Sequence, residues 1–457
     1  MRRWAMMVVS SLLLGACREP AATPVPAADS AAASVAPDAA LAPPPEIEAW
    51  LRATGVPIAT ADPTHALDDL VPLAAIVGDA HVVGMGEATH GTREFFQLKH
   101  RVLEELVAHE GFTVLAMEAN QPECRAINAY ILGGDGDVRE LLRGIYFWTW
   151  DTEEVRAMIE WMRAWNADPA HRHKVQFAGF DMQETPVALA SVEAFVRAVD
   201  RARAGDLFAP LALYRLRHRA AHATPPAVQA AARAGLAPLV ARFAEREAAW
   251  RRAAGDEAYD RARQDLRVLE QAAEARTVTD FAHTVIRDRA MADNLAWIRA
   301  HQPAGTRVML WAHNGHIARD PAEHVMGALL RERLGTDYLP IGFVYGDGSF
   351  QAREWLGPHA QGDLREWTQG PAPTDDLSTP FTATGAPILL VDLRRAPAGV
   401  VVDWLAAPHP AREYGAQFTD KQPGRPSTVL TNTFDAVLFV AHTTRARPLP
   451  GPVVYAP

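Results

Sequence analysis

The sequence predicts an α/β fold: a mainly parallel central sheet with flanking helices and a large helical insertion forming one side of a cleft. Three observations carry this reading. Short apolar runs of strand composition recur along the chain and meet a polar or ionisable residue: VVGMGE at Glu87, FTVLAME at Glu118, VQFAGFD at Asp181, VMLWAH at His313, ILLVDL through Asp392 and VLFVAH at His442. They are apolar at nearly every position, as strands covered by helices on both faces must be. Helical patterns lie between the first three, over residues 92–109, 121–132 and 151–167. From about 185 to 300 the composition then shifts to Ala, Arg, Glu and Leu, which reads as long helices inserted between strands and packed beside the crevice.

Taken in order, the chain opens with MRRWAMMVVSSLLLGAC, in which Arg2 and Arg3 precede an apolar run too short to span a bilayer. Leu14-Gly15-Ala16-Cys17 resembles the bacterial lipobox. That resemblance implies a signal peptide over 1–17, lipidation of Cys17, and a lipid-anchored protein of the cell envelope. Arg18 after the cysteine points to the periplasmic side of the outer membrane. Residues 18–45 are rich in Ala and Pro with almost no large apolar side chain, so they read as a tether. The folded domain is expected over 46–457. Within it, Cys124 reads as a buried thiol, Asp151 and Glu154 open a helix in capping-box spacing, and the Gly-, Pro- and Thr-rich sequence after Asp347 reads as long loops. Strands near 387–393 and 435–442 complete the sheet.

Composition narrows the function. A chain of 457 residues that is 49% hydrophobic can bury a large core. A formal net charge of −10, with lysine only at Lys99, Lys174 and Lys421 and no clustered basic face, excludes a nucleic-acid surface. Two cysteines build neither a disulfide framework nor a Cys-rich zinc site. There is no G-x-S-x-G elbow, P-loop or G-x-G-x-x-G fingerprint, so neither a serine nucleophile nor a nucleotide cofactor is indicated.

What remains is acid–base chemistry. In sheets of this class ligands bind beyond the carboxyl ends of the strands, where Glu87, Glu118, Asp181 and His313 would converge. The stretch HVVGMGEATHGTREFFQ sets Glu87 and His90 three positions apart as a strand gives way to a helix. LWAHNGHIAR does the same for His313 and His316. A histidine paired with a carboxylate can deprotonate water for direct attack on an acyl carbon. A protonated histidine, a Lys or Arg, or the helix start after His90 could stabilise the oxyanion. The same His/Glu set also suits a metal-dependent hydrolase, although no H-E-x-x-H is present, or a non-catalytic envelope protein that binds a ligand. Trp148 and Trp150, in GIYFWTWDTEE with Tyr146 and Phe147, could line a cleft for an apolar ligand. Asp181 and Gln183 in FAGFDMQ could contact substrate. Arg287, Asp288 and Asn294 are read as partners that fix one helix.

GEATHGTREFF, VLAMEAN, FAGFDMQ, RDRAMADNLAWI and WAHNGHI, in that order, resemble the erythromycin esterase family, which hydrolyses the lactone ester of macrolide antibiotics. The resemblance implies a small-molecule ester or lactone as substrate, no cofactor and no metal. It makes His90 the general base, Glu87 its carboxylate partner, Glu118 the second essential glutamate, and His313 and His316 the paired site histidines. Lys99 stands where macrolide-active members carry an arginine. It keeps the charge without the planar fork, and Arg101, two residues on, faces another side of the helix. Lys99 is therefore the substrate-binding cation this reading expects.

Overall fold

The computed structural model describes residues 42–217, 221, 223–278, 280–357, 360–421 and 424–451. The lipobox, Cys17 and the tether up to residue 41 lie outside the described residues. Among those described, no helix is long and apolar enough to cross a membrane.

Twelve strands are described: β1 (Val56–Pro57), β2 (Val82–Met85), β3 (Phe112–Asn120), β4 (Gln176–Asp181), β5 (Arg307–Trp311), β6 (Tyr338–Gly357), β7 (Ala360–Gln369), β8 (Ile388–Asp392), β9 (His409–Pro410), β10 (Gln417–Phe418), β11 (Ser427–Thr428) and β12 (Ala436–Thr443). The main sheet runs β1-β8-β12-β6-β2-β5-β3-β4, with β7 and β10 added to β6, while β9 and β11 pair separately. From β12 to β4 every neighbour is parallel. The register decides where chemistry can gather. Met85 stands level with both Trp311 and Ile341, and Trp311 with Met117. The residues that follow β2, β5 and β3 therefore leave the sheet side by side.

Alternation along the strands splits the core. Val83, Met85, Leu115, Met117, Met309 and Trp311 pack on one face with side chains of the helices Arg93–His109, Gln121–Ile131 and Glu153–Ala167. Val82, Val114, Ala116, Val308 and Leu310 pack on the other with the helices Pro45–Thr54, Asp280–Ala300 and Met326–Leu334. Both faces are apolar because both are covered, which is why the strands read as unbroken hydrophobic runs. The insertion has its own cluster, built by the helices Pro186–Val199, Arg201–Phe208, Pro226–Ala254 and Asp256–Ala275 around Leu189, Val192, Phe243, Trp250 and Leu266.

Three expectations change. The sequence after Asp347 is not all loop: β6 runs for 20 residues and turns back as β7. Phe350, Gln351 and Ala352 are all buried there, so no apolar alternation marks the strand in the sequence. The ILLVDL strand is antiparallel to β12, so Asp392 sits at the other edge of the sheet and pairs with Arg394. The Glu153–Ala167 helix is capped by Thr152, whose hydroxyl accepts from Val155 N at 3.3 Å. Glu154 instead accepts from Arg447 Nε at 2.8 Å.

Candidate active site

The site begins where β2 ends. Gly86 and Gly91 frame the Glu87–His90 turn, and both are glycines for lack of room. A Cβ on Gly86 would lie 2.1 Å from Asn314 Oδ1, and one on Gly91 2.1 Å from the Gln351 carbonyl. So confined, the turn presents His90 beside Glu87. His90 Nδ1 is 2.6 Å from Glu87 Oε1, and the other carboxylate oxygen accepts from Lys99 Nζ at 2.5 Å and Trp311 Nε1 at 2.9 Å. An ionised carboxylate accepts only, so the His90 proton sits on Nδ1 and Nε2 keeps its lone pair. His90 is 8% exposed and Glu87 is fully buried.

Lys99 therefore acts behind the site. It is fully buried, its ammonium lies 4.3 Å from the centre of the Trp311 ring, and it holds Glu87 rather than reaching a substrate. Burial lowers its pKa to about 8, against the pull of Glu87 and Glu118. Arg101 faces elsewhere, bonding Asp69 and the carbonyls of Thr60 and Ala66.

The carboxylate after β3 belongs to a second network. Glu118 accepts from Arg287 Nη2 at 2.6 Å and from the His313 backbone N–H at 3.0 Å. Burial would push this carboxyl up, but His316, Arg287 and His90 hold it well below the ordinary range. Arg287 also donates to Asp181 at 2.7 Å, and Gln183 Nε2 to the same oxygen at 2.7 Å. Asp181 and Gln183 thus fix the guanidinium. His316 Nδ1 lies 2.8 Å from Asp288 Oδ1, which also accepts from Met326 N, while Arg287 Nη1 is 2.9 Å from His316 Nε2. Burial disfavours a charge on the His316 ring, yet Asp288 and Glu118 raise its pKa against Arg287.

His313 is the link between the two networks. Its ring centroid is 4.9 Å from that of His90. Nδ1 accepts from Gly315 N at 3.2 Å, which leaves the proton on Nε2. That atom is buried without a well-formed hydrogen bond, although the Tyr414 backbone is close enough to favour the charged ring. Burial, His90 and His316 drive its pKa down to about 3, so the ring is a neutral donor.

Of the expected helix-start donors, the Arg93 N–H is taken by the Thr444 carbonyl at 2.9 Å, and the Glu94 carboxylate accepts from Thr444 N. Trp150 is core rather than open lining. It is 1% exposed, packs on Trp311 and Phe96, and donates to the Glu118 carbonyl at 2.9 Å. Trp148 is buried at 8% exposure, and Tyr146 carries a positive φ of 65° with Arg217 3.5 Å over its ring. Asn294 ties the insertion to β4 by donating to the Phe180 carbonyl. His442 pairs with Asp347 at the end of β12. Among the described residues no group of three or more His, Cys, Asp or Glu side chains is arranged to hold a metal ion.

Arg287 and Asp288 are the site residues that sequence reasoning undervalued. The only signal was RDRAMADNLAWI itself, since nothing in a helix pattern says which residue leans over a strand end. Glu413, on the C-terminal segment, carried no signal at all: its Oε1 accepts from Asn314 Nδ2 at 3.1 Å.

Comparison with known proteins places this arrangement. A solved structure of a Bacillus cereus protein, 24% identical, superposes with a TM-score of 0.79 over 89% of this chain and 99% of its own. An erythromycin esterase mutant in its open conformation, 18% identical, superposes with a TM-score of 0.66 over 84% of this chain and 96% of its own. At those identities the likeness is one of fold. In sequence, the erythromycin esterase type II of Escherichia coli is 33% identical over 137 residues, 30% of this chain and 31% of that protein's length. The erythromycin esterase family model matches residues 107–443, which include Glu118, Asp181, Arg287, His313 and His316, with Glu87 and His90 just ahead of them. With that match covering well over half of its length, the chain belongs to the erythromycin esterase family.

Proposed function

We propose that this chain is a hydrolase that opens an ester or macrocyclic lactone by direct attack of water, without a covalent intermediate and without a metal. The observation that carries the reading is the 2.6 Å contact between His90 Nδ1 and Glu87 Oε1, which leaves Nε2 as an unprotonated base. Lys99 and Trp311 donate to the Glu87 carboxylate and hold it still beside His90, so the imidazolium formed on proton transfer is stabilised at once. Water then adds to the acyl carbon. The developing oxyanion faces the Arg287 guanidinium, held beside His316 by Glu118 and Asp181. Glu118 stays charged and, with Asp181, fixes Arg287 beside His316 as a cationic wall.

The family and the E. coli relative's name favour lactone or ester substrates, macrolides among them. A metal fits this donor set poorly, because Glu87 already accepts from Lys99 and Trp311, and Glu118 from Arg287. By the lipobox at Cys17 the enzyme is lipid-anchored in the envelope.

The test is turnover of a panel of esters and lactones, macrolides included, by wild type and His90→Ala. The variant should lose roughly 10²- to 10⁴-fold in kcat/KM, the usual worth of a positioned general base. Unchanged turnover removes His90 from the role. Saturable binding with no turnover by wild type would make the chain a ligand-binding protein instead.

A further inference from the structure

Residues 411–414 run beside the catalytic turn: Tyr414 N donates to the Ala88 carbonyl at 2.7 Å, and Tyr414 forms a parallel bridge with Thr89. Alternate side chains of this segment are accounted for. Arg412 is buried and donates to the carbonyls of Gly346, Gly370 and Pro371, and Tyr414 is buried with its ring stacked 5.6 Å from that of Phe350. An extended chain sends every second side chain to the opposite face. Glu413 accordingly turns to the strand ends, where Oε1 accepts from Asn314 Nδ2. Asn314 follows His313, and its own N–H donates to the Glu87 carbonyl at 2.9 Å. The Glu413 carboxyl is thus bracketed by the two turns that carry His90 and His313. Its Oε2 has no hydrogen-bond partner among the described residues, and the residue as a whole is half-buried.

We propose that Glu413 is the general acid of the reaction, giving its carboxyl proton to the alcohol oxygen as the acyl C–O bond breaks; this rests on the hydrolase reading above. The balance is complete. His90 takes one proton from water, the water oxygen bonds to the acyl carbon, the alcohol leaves with the Glu413 proton, and the proton on His90 returns through solvent to Glu413. An alkoxide is a poor leaving group unless protonated, and the other carboxylates are unsuited to supply the proton. Glu118 is held ionised by Arg287, and Glu87 is spent on His90 and Lys99. Burial raises the Glu413 pKa to about 7, opposed by the Asn314 bond and aided by Glu323. A carboxylic acid of that strength holds its proton near neutrality.

The experiment compares E413Q with wild type on paired esters of one acyl group, with an alkyl or a p-nitrophenyl leaving group. Gln keeps an acceptor for Asn314 but cannot give up a proton. On the alkyl ester kcat/KM should fall roughly 10²-fold, and on the aryl ester, whose phenoxide departs unaided, by at least about tenfold less. E413D retains an acid and should lose less than E413Q on the alkyl ester. An equal loss on both esters, no loss on either, or the reverse order of the two variants overturns the assignment. A wild type that turns over no member of the panel is a different failure: it removes the hydrolase reading, and this inference with it.

Discussion

His313 and His316 sit three residues apart on one turn, yet their surroundings drive them in opposite directions. His313 meets burial, His90 and His316, all of which expel its proton, whereas Asp288 and Glu118 draw one onto His316. The two rings are thereby set apart in proton affinity, His313 lowered and His316 raised. Asp288 acts on His316 and not on His313, whereas Glu118 raises both rings, and Glu118 yields a pH test. Its pKa is depressed in the folded chain by His316, Arg287 and His90 against burial. The associated stability is therefore complete above the unfolded carboxyl value of about 4.3 and is lost as pH falls through the lower native value. Glu118→Gln should be less stable than wild type at pH 7, and the gap should narrow steadily below about pH 4. Denaturant midpoints measured down to pH 2.5 check this; a constant gap contradicts it. Glu87, Glu118 and His313 were legible in the sequence because each ends an apolar run of strand composition, and His90 and His316 because each lies three residues beyond such an end. Arg287, Asp288 and Glu413 were not, since their importance comes from partners 169, 28 and 99 residues away. Lys99 was legible as a site cation but not as one facing inward: only packing shows that Glu87 and Trp311 lie on its side of the helix.

At the scale of elements, the active site depends on two strand ends being packed without slack. Asn314 is clamped across β6, donating to the Phe343 carbonyl at 2.8 Å and accepting from Phe343 N at 3.0 Å, so its side chain has nowhere to retreat. Gly86→Ala would drive a methyl into that amide. It should cost about 1–3 kcal/mol by overpacking, read as a lower denaturation midpoint. A shift worth less than about 0.5 kcal/mol would show that the joint can give. The parallel strands were readable because burial on both faces leaves no polar alternation to confuse them. The β6–β7 hairpin was not, because its outer reach exposes Trp355 and Leu356 and mixes them with Gly, Arg and Glu. Its extended form comes from pairing between β6 and β7 rather than from an apolar pattern.

At the scale of the whole molecule, the insertion is joined to the sheet domain chiefly by polar ties near the site. Arg125 donates to both oxygens of Asp265 at 2.7 and 2.8 Å, and Asn294 bonds Gln264, Gln271 and β4. Its helical character was plain in the Ala-, Arg- and Glu-rich composition; which face would meet the sheet was not, because that face is polar. The proposed lipid anchor is tested at Leu14-Gly15-Ala16-Cys17. In a Gram-negative host the full chain should fractionate with membranes, and Cys17→Ser should lose the lipid and leave the outer-membrane fraction. Equal outer-membrane recovery of both would remove the anchor.

The turn that carries His90 is held by residues from the last tenth of the chain: Ala446 N donates to the Gly91 carbonyl, and the Thr444 carbonyl accepts from Arg93. During synthesis, the histidine leaves the ribosome long before the segment that steadies it. A chain still being made carries most acidic and imidazole groups of the site in unassembled form. The His90 turn is fully held only once the last strand has docked, so its geometry waits on the end of the chain.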